Sequence, residues 1–289
     1  MRYKRLIKLS LRTTNYINAL NNKRYYVLLH CLTSIGNITV LIDIHCHLEG
    51  VLAFDRERFF KQNGKIGAVS MTKASALELI RLKQQYSDQI YLFLGIHPEK
   101  DVSEQEIQAV IDLIYQHRHL LSGIGEIGIP FFYLDEKTEQ EKHLIKQLGS
   151  ERLARFVKIA ADLELPVNLH VVEDDIHYAL PILKDYQIKG ALFHWYEGSD
   201  ENLALLHQQA HFISVSPWIF VDPHYFEFAK KIPLDMLLVE SDSPCKYNGV
   251  QGEPNMINSV IDVLAKHHQL SWDVMTTLIN ENTKRFLKI

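Results

Sequence analysis

Cysteine is scarce in this chain of 289 residues: Cys31, Cys46 and Cys245 are an odd number and form no CxxC pair. That excludes a disulfide framework or a cysteine zinc knuckle as what holds the fold together, and a reducing cytoplasm fits best. Long apolar runs are also missing. Tyr25 to Leu32 and Ile38 to Ile44 fall well short of the roughly 18 residues a membrane helix needs, so a soluble protein without a membrane partner is expected. Acid is absent from residues 1–40, which hold Arg2, Lys4, Arg5, Lys8, Arg12, Lys23 and Arg24, so the remainder carries 24 basic against 35 acidic side chains. Such an acidic body excludes sequence-blind coating of nucleic acid, whose affinity comes from Lys and Arg neutralising phosphates, while leaving room for a local phosphate site. There is no GxGxxG turn, linker, internal repeat or low-complexity stretch, and no obligate protein partner is evident.

The basic head, residues 1–39, reads in three ways: an organelle transit peptide, an arm that leans on an anionic partner, or a segment outside the functional domain. The third is favoured, because a complete structural pattern starts at Val40 and leaves the head no element to fill. Residues 40–289 then form the functional domain.

From Val40 the chain alternates short apolar runs with longer amphipathic stretches. The runs are 40-VLIDIHCH-47, 66-IGAVSM-71, 90-IYLFLGI-96, 123-GIGEIGI-129, 167-VNLHVV-172, 191-ALFHW-195, 212-FISVS-216 and 237-LLVESD-242. Between them apolar residues recur at helical spacing, as in Ile107, Val110, Ile111 and Ile114. Continuously apolar strands separated by helices indicate a parallel sheet covered on both faces. Eight such units in about 250 residues predict an α/β fold, a (β/α)8 TIM barrel, with an open doubly wound sheet as the alternative.

In that register the metal-type residues fall at strand C-terminal ends, which converge on one face of a barrel. His45 and His47 lie two apart, so both face the same side while Cys46 faces away. Glu126 sits in a Gly/Ile run, where a lone carboxylate is costly to bury unless it meets a cation or a strong donor. His170, His194 and Asp242 end the fifth, sixth and eighth runs, and Glu240 precedes Asp242 on the same side, as its neighbour or as a core-edge salt-bridge residue. Four histidines and two carboxylates exceed the usual ligand set of one zinc ion. They suit two divalent ions bridged by one carboxylate, an arrangement that activates water and hydrolyses esters, phosphodiesters or amides. Zinc, manganese and magnesium all remain candidates.

The order DIHCHLE (Asp43 to Glu49), GIHPEK (Gly95 to Lys100), GEIGI (Gly125 to Ile129), PVNLH (Pro166 to His170), FHWYEGS (Phe193 to Ser199) and LLVESDSP (Leu237 to Pro244) resembles the TatD family of metal-dependent hydrolases over residues 40–289. The resemblance implies an amidohydrolase-like barrel, often a deoxyribonuclease acting on 3′ ends of DNA, with two divalent ions. By motif, His45, His47, Glu126 and Asp242 would hold the first and Glu126, His170 and His194 the second. Asp242 would also take the proton of the attacking water.

The chain departs from the family where substrate would lie. Ile129-Pro130-Phe131 replaces the usual Leu-Asp-Tyr, with Tyr133 nearby as a stand-in. Glu173, Asp174 and Asp175 follow where an Arg is usual, and an acidic group there repels a phosphodiester backbone. Lys246 is the sole cation of 244-PCKYNGVQGEPN-255. His97 is expected at substrate or as a helix cap. Trp195, Tyr196, Trp218 and Phe220 read first as packing residues and second as an aromatic rim for bases. Lys100 and Lys246 are candidate phosphate contacts. Three readings follow: a 3′-to-5′ deoxyribonuclease, a hydrolase of a small ester, lactone, amide or aminoacyl-tRNA ester on the same site, and a non-catalytic metal-binding scaffold.

Overall fold

The computed structural model of the protein describes residues 40–289, and the basic extension expected over residues 1–39 lies outside them. Strands β1 (Leu41–Cys46), β2 (Gly64–Val69), β3 (Ile90–Leu94), β4 (Leu121–Gly128), β5 (Val167–His170), β6 (Leu192–Phe193), β7 (Phe212–Val215) and β8 (Leu237–Val239) pair in sequence order into one parallel sheet. Helices α1 (Ala53–Lys61), α2 (Lys73–Gln85), α3 (Glu104–Gln116), α4 (Glu139–Asp162), α5 (Ile176–Asp185), α6 (Asp200–Gln208) and α7 (Pro223–Ala229) follow the first seven strands in turn. A small hairpin, β9 (Lys246–Tyr247) and β10 (Val250–Gln251), precedes α8 (Ile257–His267) and α9 (Trp272–Leu287). This is the (β/α)8 barrel that the alternation of runs predicts.

Local chemistry sets the element ends. Thr72 and Thr138 cap α2 and α4 in reciprocal capping boxes with Ser75 and Glu141, while Ser103, Ser199 and Ser271 cap α3, α6 and α9. Asn248 and Gly249 both take positive φ and turn the β9–β10 hairpin, the dipeptide such a two-residue turn favours.

The barrel interior is layered. Ile44, Val69, Phe93, Leu192, Phe212 and Leu238 form an apolar cluster with Phe286 and Leu287 of α9, distinct from the larger cluster between strands and helices. Asn280 and Asn282 of α9 bond to the carbonyls of Val40, Leu234 and Leu237, at the start of β1 and around the start of β8, so α9 closes the floor of the barrel. Leu192 and Leu238 stand two residues before His194 and Glu240, so the polar residues lie above this floor on the same inward side.

The sheet closes between β8 and β1 through few bonds. The Asp242 N–H donates to the His45 carbonyl at 3.0 Å and the His47 N–H to the Ser243 carbonyl at 2.8 Å. Below them the buried Asp43 carboxylate accepts from the Ser241 N–H at 2.8 Å and from its hydroxyl at 2.5 Å. A side chain thus stitches the seam where a regular backbone ladder is lacking. Asp43→Ala leaves two buried Ser241 donors without a partner, which should cost about 2–3 kcal/mol, read as a lower urea midpoint at unchanged slope. A midpoint equal to that of the parent protein would refute this role for Asp43.

Candidate metal centre

The strand ends bring all six expected donors together around Glu126. Its carboxylate is fully buried on β4. Close strand approach puts it there: a Cβ on Gly128 would lie 1.8 Å from the His170 carbonyl oxygen, and one on Gly95 would lie 2.7 Å from the carbonyl of Glu126 itself. Only glycine fits at either position.

The two oxygens of Glu126 face different partners. Oε2 lies 3.5 Å from His45 Nε2 and 3.3 Å from His47 Nε2, and the same two nitrogens lie 3.6 and 3.4 Å from Asp242 Oδ1. Oε1 lies 2.9 Å from His170 Nδ1, 2.9 Å from His194 Nε2 and 3.2 Å from His97 Nε2. Ligand-type atoms of His45, His47 and Asp242, of His45, Glu126 and His194, and of His97, Glu126 and His170 each fall within 4.8 Å of one another.

Neighbouring groups decide which nitrogens are free. The Val69 carbonyl only accepts, so His47 Nδ1, 3.3 Å away, carries the proton and Nε2 keeps its lone pair for the centre. Asn168 Oδ1 does the same for His45 Nδ1 at 3.0 Å. Glu240 Oε1 stands 3.4 Å from His194 Nδ1, and its other oxygen accepts a hydrogen bond from the Ser214 hydroxyl. Outer partners of this kind fix the tautomer of a metal-binding imidazole. His97 is the reverse case. Its Nδ1 accepts the Glu99 N–H at 3.1 Å, so in the neutral ring Nε2 bears the proton and donates to Glu126. His97 therefore serves the carboxylate and has no lone pair to spare.

The residues present fit a cation. His45 Nε2, Glu126 Oε2 and Asp242 Oδ1 are buried without a hydrogen-bond partner, an arrangement whose cost a shared positive ion relieves. The imidazole-to-carboxylate separations, from His45 Nε2 and His47 Nε2 to Glu126 Oε2 and Asp242 Oδ1, are 3.3–3.6 Å, close to the about 3.3–3.4 Å between neighbouring ligands of an ion bound at about 2.0–2.1 Å. Burial pushes the Asp242 carboxyl up to about 7 and the His47 imidazole down to about 3. Burial also opposes charge on His45 and His170, yet Glu126 outweighs it and holds both above their usual range. The backbone bends sharply here, with Trp195 and Asp242 at φ of 42° and 44°. Non-glycine residues pay for that conformation, and it is concentrated at functional sites.

Among the other sequence expectations, Trp195 is partly exposed beside the centre, its ring 5.8 Å from Trp218 and 5.7 Å from Tyr247. Phe220 is exposed, whereas Tyr196 is fully buried and its hydroxyl donates to the Glu173 carbonyl, which removes it from any rim. Cys46 faces away from the histidines, into the outer core. The sequence reasoning passed over Asn168, Asp43 and Glu99. Asn168 was accessible, since the same two-residue rule that pairs His45 with His47 pairs Asn168 with His170.

An eight-unit barrel whose mouth gathers imidazoles and carboxylates defines the class of metal-dependent barrel hydrolases. A family model described as TatD related DNase matches residues 42–288, and the chain belongs to that family. It is 29% identical over 255 residues to an uncharacterized metal-dependent hydrolase of Haemophilus influenzae, covering 86% of this chain and 100% of that protein. It is 24% identical over 267 residues to the deoxyribonuclease TATDN3 of Homo sapiens, covering 86% and 95% of the two chains. Among solved structures, YjjV, a TatD homolog from Escherichia coli K12, matches with a TM-score of 0.75 at 22% identity over 88% of this chain and 100% of that one, a likeness of fold. Among the described residues no helix is long and apolar enough to cross a membrane.

A metal must displace the protons that Glu126 holds on His45, raised to about 10, and His170, raised to about 9. Below those values the protons compete with the ion, so affinity for zinc or manganese should rise between pH 6 and 8, by about tenfold per unit for each proton released. Calorimetry in buffers of different ionisation enthalpy reads the proton release directly, and an affinity flat with pH would contradict it.

Proposed function

We propose that this protein is a two-metal phosphodiesterase that shortens DNA stepwise from the 3′ end. The observation that carries the reading is Glu126, whose Oε2 faces the His45, His47 and Asp242 group while its Oε1 faces His170 and His194. With each oxygen turned to a separate donor set, Glu126 would hold one ion together with His45, His47 and Asp242 and a second together with His170 and His194, and the pair would supply an activated water at neutral pH and offset charge on the entering and leaving oxygens.

The remaining work falls to this chain's own residues. Asp242 sits where its Oδ1 lies 3.4–3.6 Å from His45 Nε2 and His47 Nε2 with no hydrogen-bond partner of its own, so it takes the proton of the attacking water. His97 Nε2–H donates to Glu126 Oε1 and steadies its charge. Trp195 and Phe220 line the rim on which a base stacks. The acidic stretch after β5 opposes DNA less than its composition suggests: Asp175 is buried against Lys146 Nζ at 2.7 Å, which offsets its charge. The deoxyribonuclease name of the human relative points the same way. Glu173 and Asp174 still favour, as a second reading, a small or aminoacyl ester turned over at the same centre.

Metal-reconstituted protein should hold about two ions per chain and give a ladder of shortened products from labelled single-stranded DNA. Bound metal with uncut DNA but cleaved small esters would select the second reading. Asp242→Asn should lower kcat on DNA by about 10³-fold, the scale of a lost general base, and near-parent turnover in that variant would remove Asp242 from that role.

A further inference from the structure

A cavity of about 730 Å³ lies beside the centre, walled by the β3–α3 loop, the start of α3, the β4–α4 loop and α4. Its lining combines apolar, cationic and acidic side chains. Ile107, Pro130, Ile145 and Leu148 are apolar, and Lys100, Arg152 and Arg155 are cationic. Acids line it as well: Glu104 pairs with Arg155 at 2.7 Å, Glu99 Oε1 accepts the N–H groups of Phe131 and Phe132 at 2.5 and 3.0 Å, and Asp101 and Glu151 are exposed to water.

Arg152 differs from its neighbours. It is half-buried, its guanidinium donates to the carbonyls of Pro98 at 2.7 Å and Lys100 at 3.5 Å, and among the described residues it has no carboxylate partner. Burial pulls its pKa down from the usual guanidinium range, though an arginine keeps its charge. Glu99 acts on its charge at longer range without pairing with it, two carbonyl partners leave part of its fork of donors unused, and a half-buried guanidinium with donors to spare beside an apolar wall is a receptor for phosphate. The cavity shares one residue with the metal centre. Glu99 lines it, and Glu99 Oε1 lies 3.7 Å from His170 Nε2. Phe132, whose N–H is one of the two held by Glu99, sets its exposed ring 5.7 Å from that of His170.

We propose that this cavity is a nucleotide subsite, holding a phosphate of the substrate strand next to the scissile one on Arg152 and Lys100, with its base on the apolar wall of Pro130 and Leu148. The volume suits a nucleotide, within the usual range for small-molecule pockets. The assignment rests on the phosphodiesterase reading for its substrate, while the cavity itself can be tested apart from catalysis.

Two variants of the full-length, metal-loaded protein carry the test. Arg152→Gln removes the charge, and Leu148→Trp fills the cavity from an exposed helix position while leaving the Arg152 carbonyl bonds in place. Both should raise KM for a single-stranded oligonucleotide about tenfold with little change in kcat, the scale of one lost charge-assisted contact. Loss on bis(p-nitrophenyl) phosphate, too small to reach the cavity, should be at least about fivefold smaller. Equal losses on both substrates, or no loss on the oligonucleotide, would overturn the subsite. Calorimetric titration with deoxyadenosine monophosphate separates the two proposals. If the parent protein cuts no DNA yet binds the nucleotide more tightly than both variants, the nuclease reading fails and the cavity stands. If parent and variants bind it alike, the cavity proposal fails whatever the protein cuts.

Discussion

A single buried negative charge organises the mouth of this barrel. Glu126 has no contact with solvent, and five imidazoles from β1, the β3–α3 loop, β5 and the turn after β6 point at its two oxygens. An isolated carboxylate at such a depth would take up a proton; surrounded in this way its pKa lies well below the usual range in spite of burial. The histidines in turn need the carboxylate, because they crowd one another: His45 stacks on His194 with ring centres 3.8 Å apart. Any change at Glu126 therefore acts on every strand that contributes to the mouth.

The division of the barrel interior follows from the same constraint. Apolar side chains fill the floor up to Leu192 and Leu238, and polar ones begin at Asn168, Ser214 and Glu240. These middle residues do not reach the centre as donors. They hold the rings that do: Ser214 donates to Glu240, whose other oxygen faces His194 Nδ1 at 3.4 Å, and Asn168 accepts from His45 and donates to the Ile44 carbonyl. A dry floor beneath and an ordered polar layer above it give the upper imidazoles fixed orientations, which is what a metal-binding group requires of its surroundings.

Much of this was legible in the chain before any coordinates. The strands announce themselves because burial on both faces leaves nothing polar in them except what function needs, so His170 and His194 stand out against Val167, Leu169 and Phe193. What could not be read were pairings between distant positions. Asp43 and Ser241 are 198 residues apart, His45 and Asn168 are 123 apart, and no local periodicity links them. The protonation of His97 is illegible for a different reason. It depends on a backbone N–H two residues on, and thus on the shape of a loop. Arg152 reads as one charge among several on an amphipathic helix until the β3–α3 loop folds over it and offers carbonyls instead of carboxylates.

The sparse seam between β8 and β1 has a consequence for how the molecule comes into being. Synthesis delivers His45 and His47 first and Asp242 nearly two hundred residues later, and the bonds that bring these segments together involve Ser241, Asp242 and Ser243. While it is still attached to the ribosome, the growing polypeptide carries imidazoles without the carboxylate that completes their set. The cluster of side chains at the mouth is complete only when the last strand docks on the first. A polypeptide that stops short of the eighth strand lacks Asp242 and every bond that Ser241, Asp242 and Ser243 make to the first.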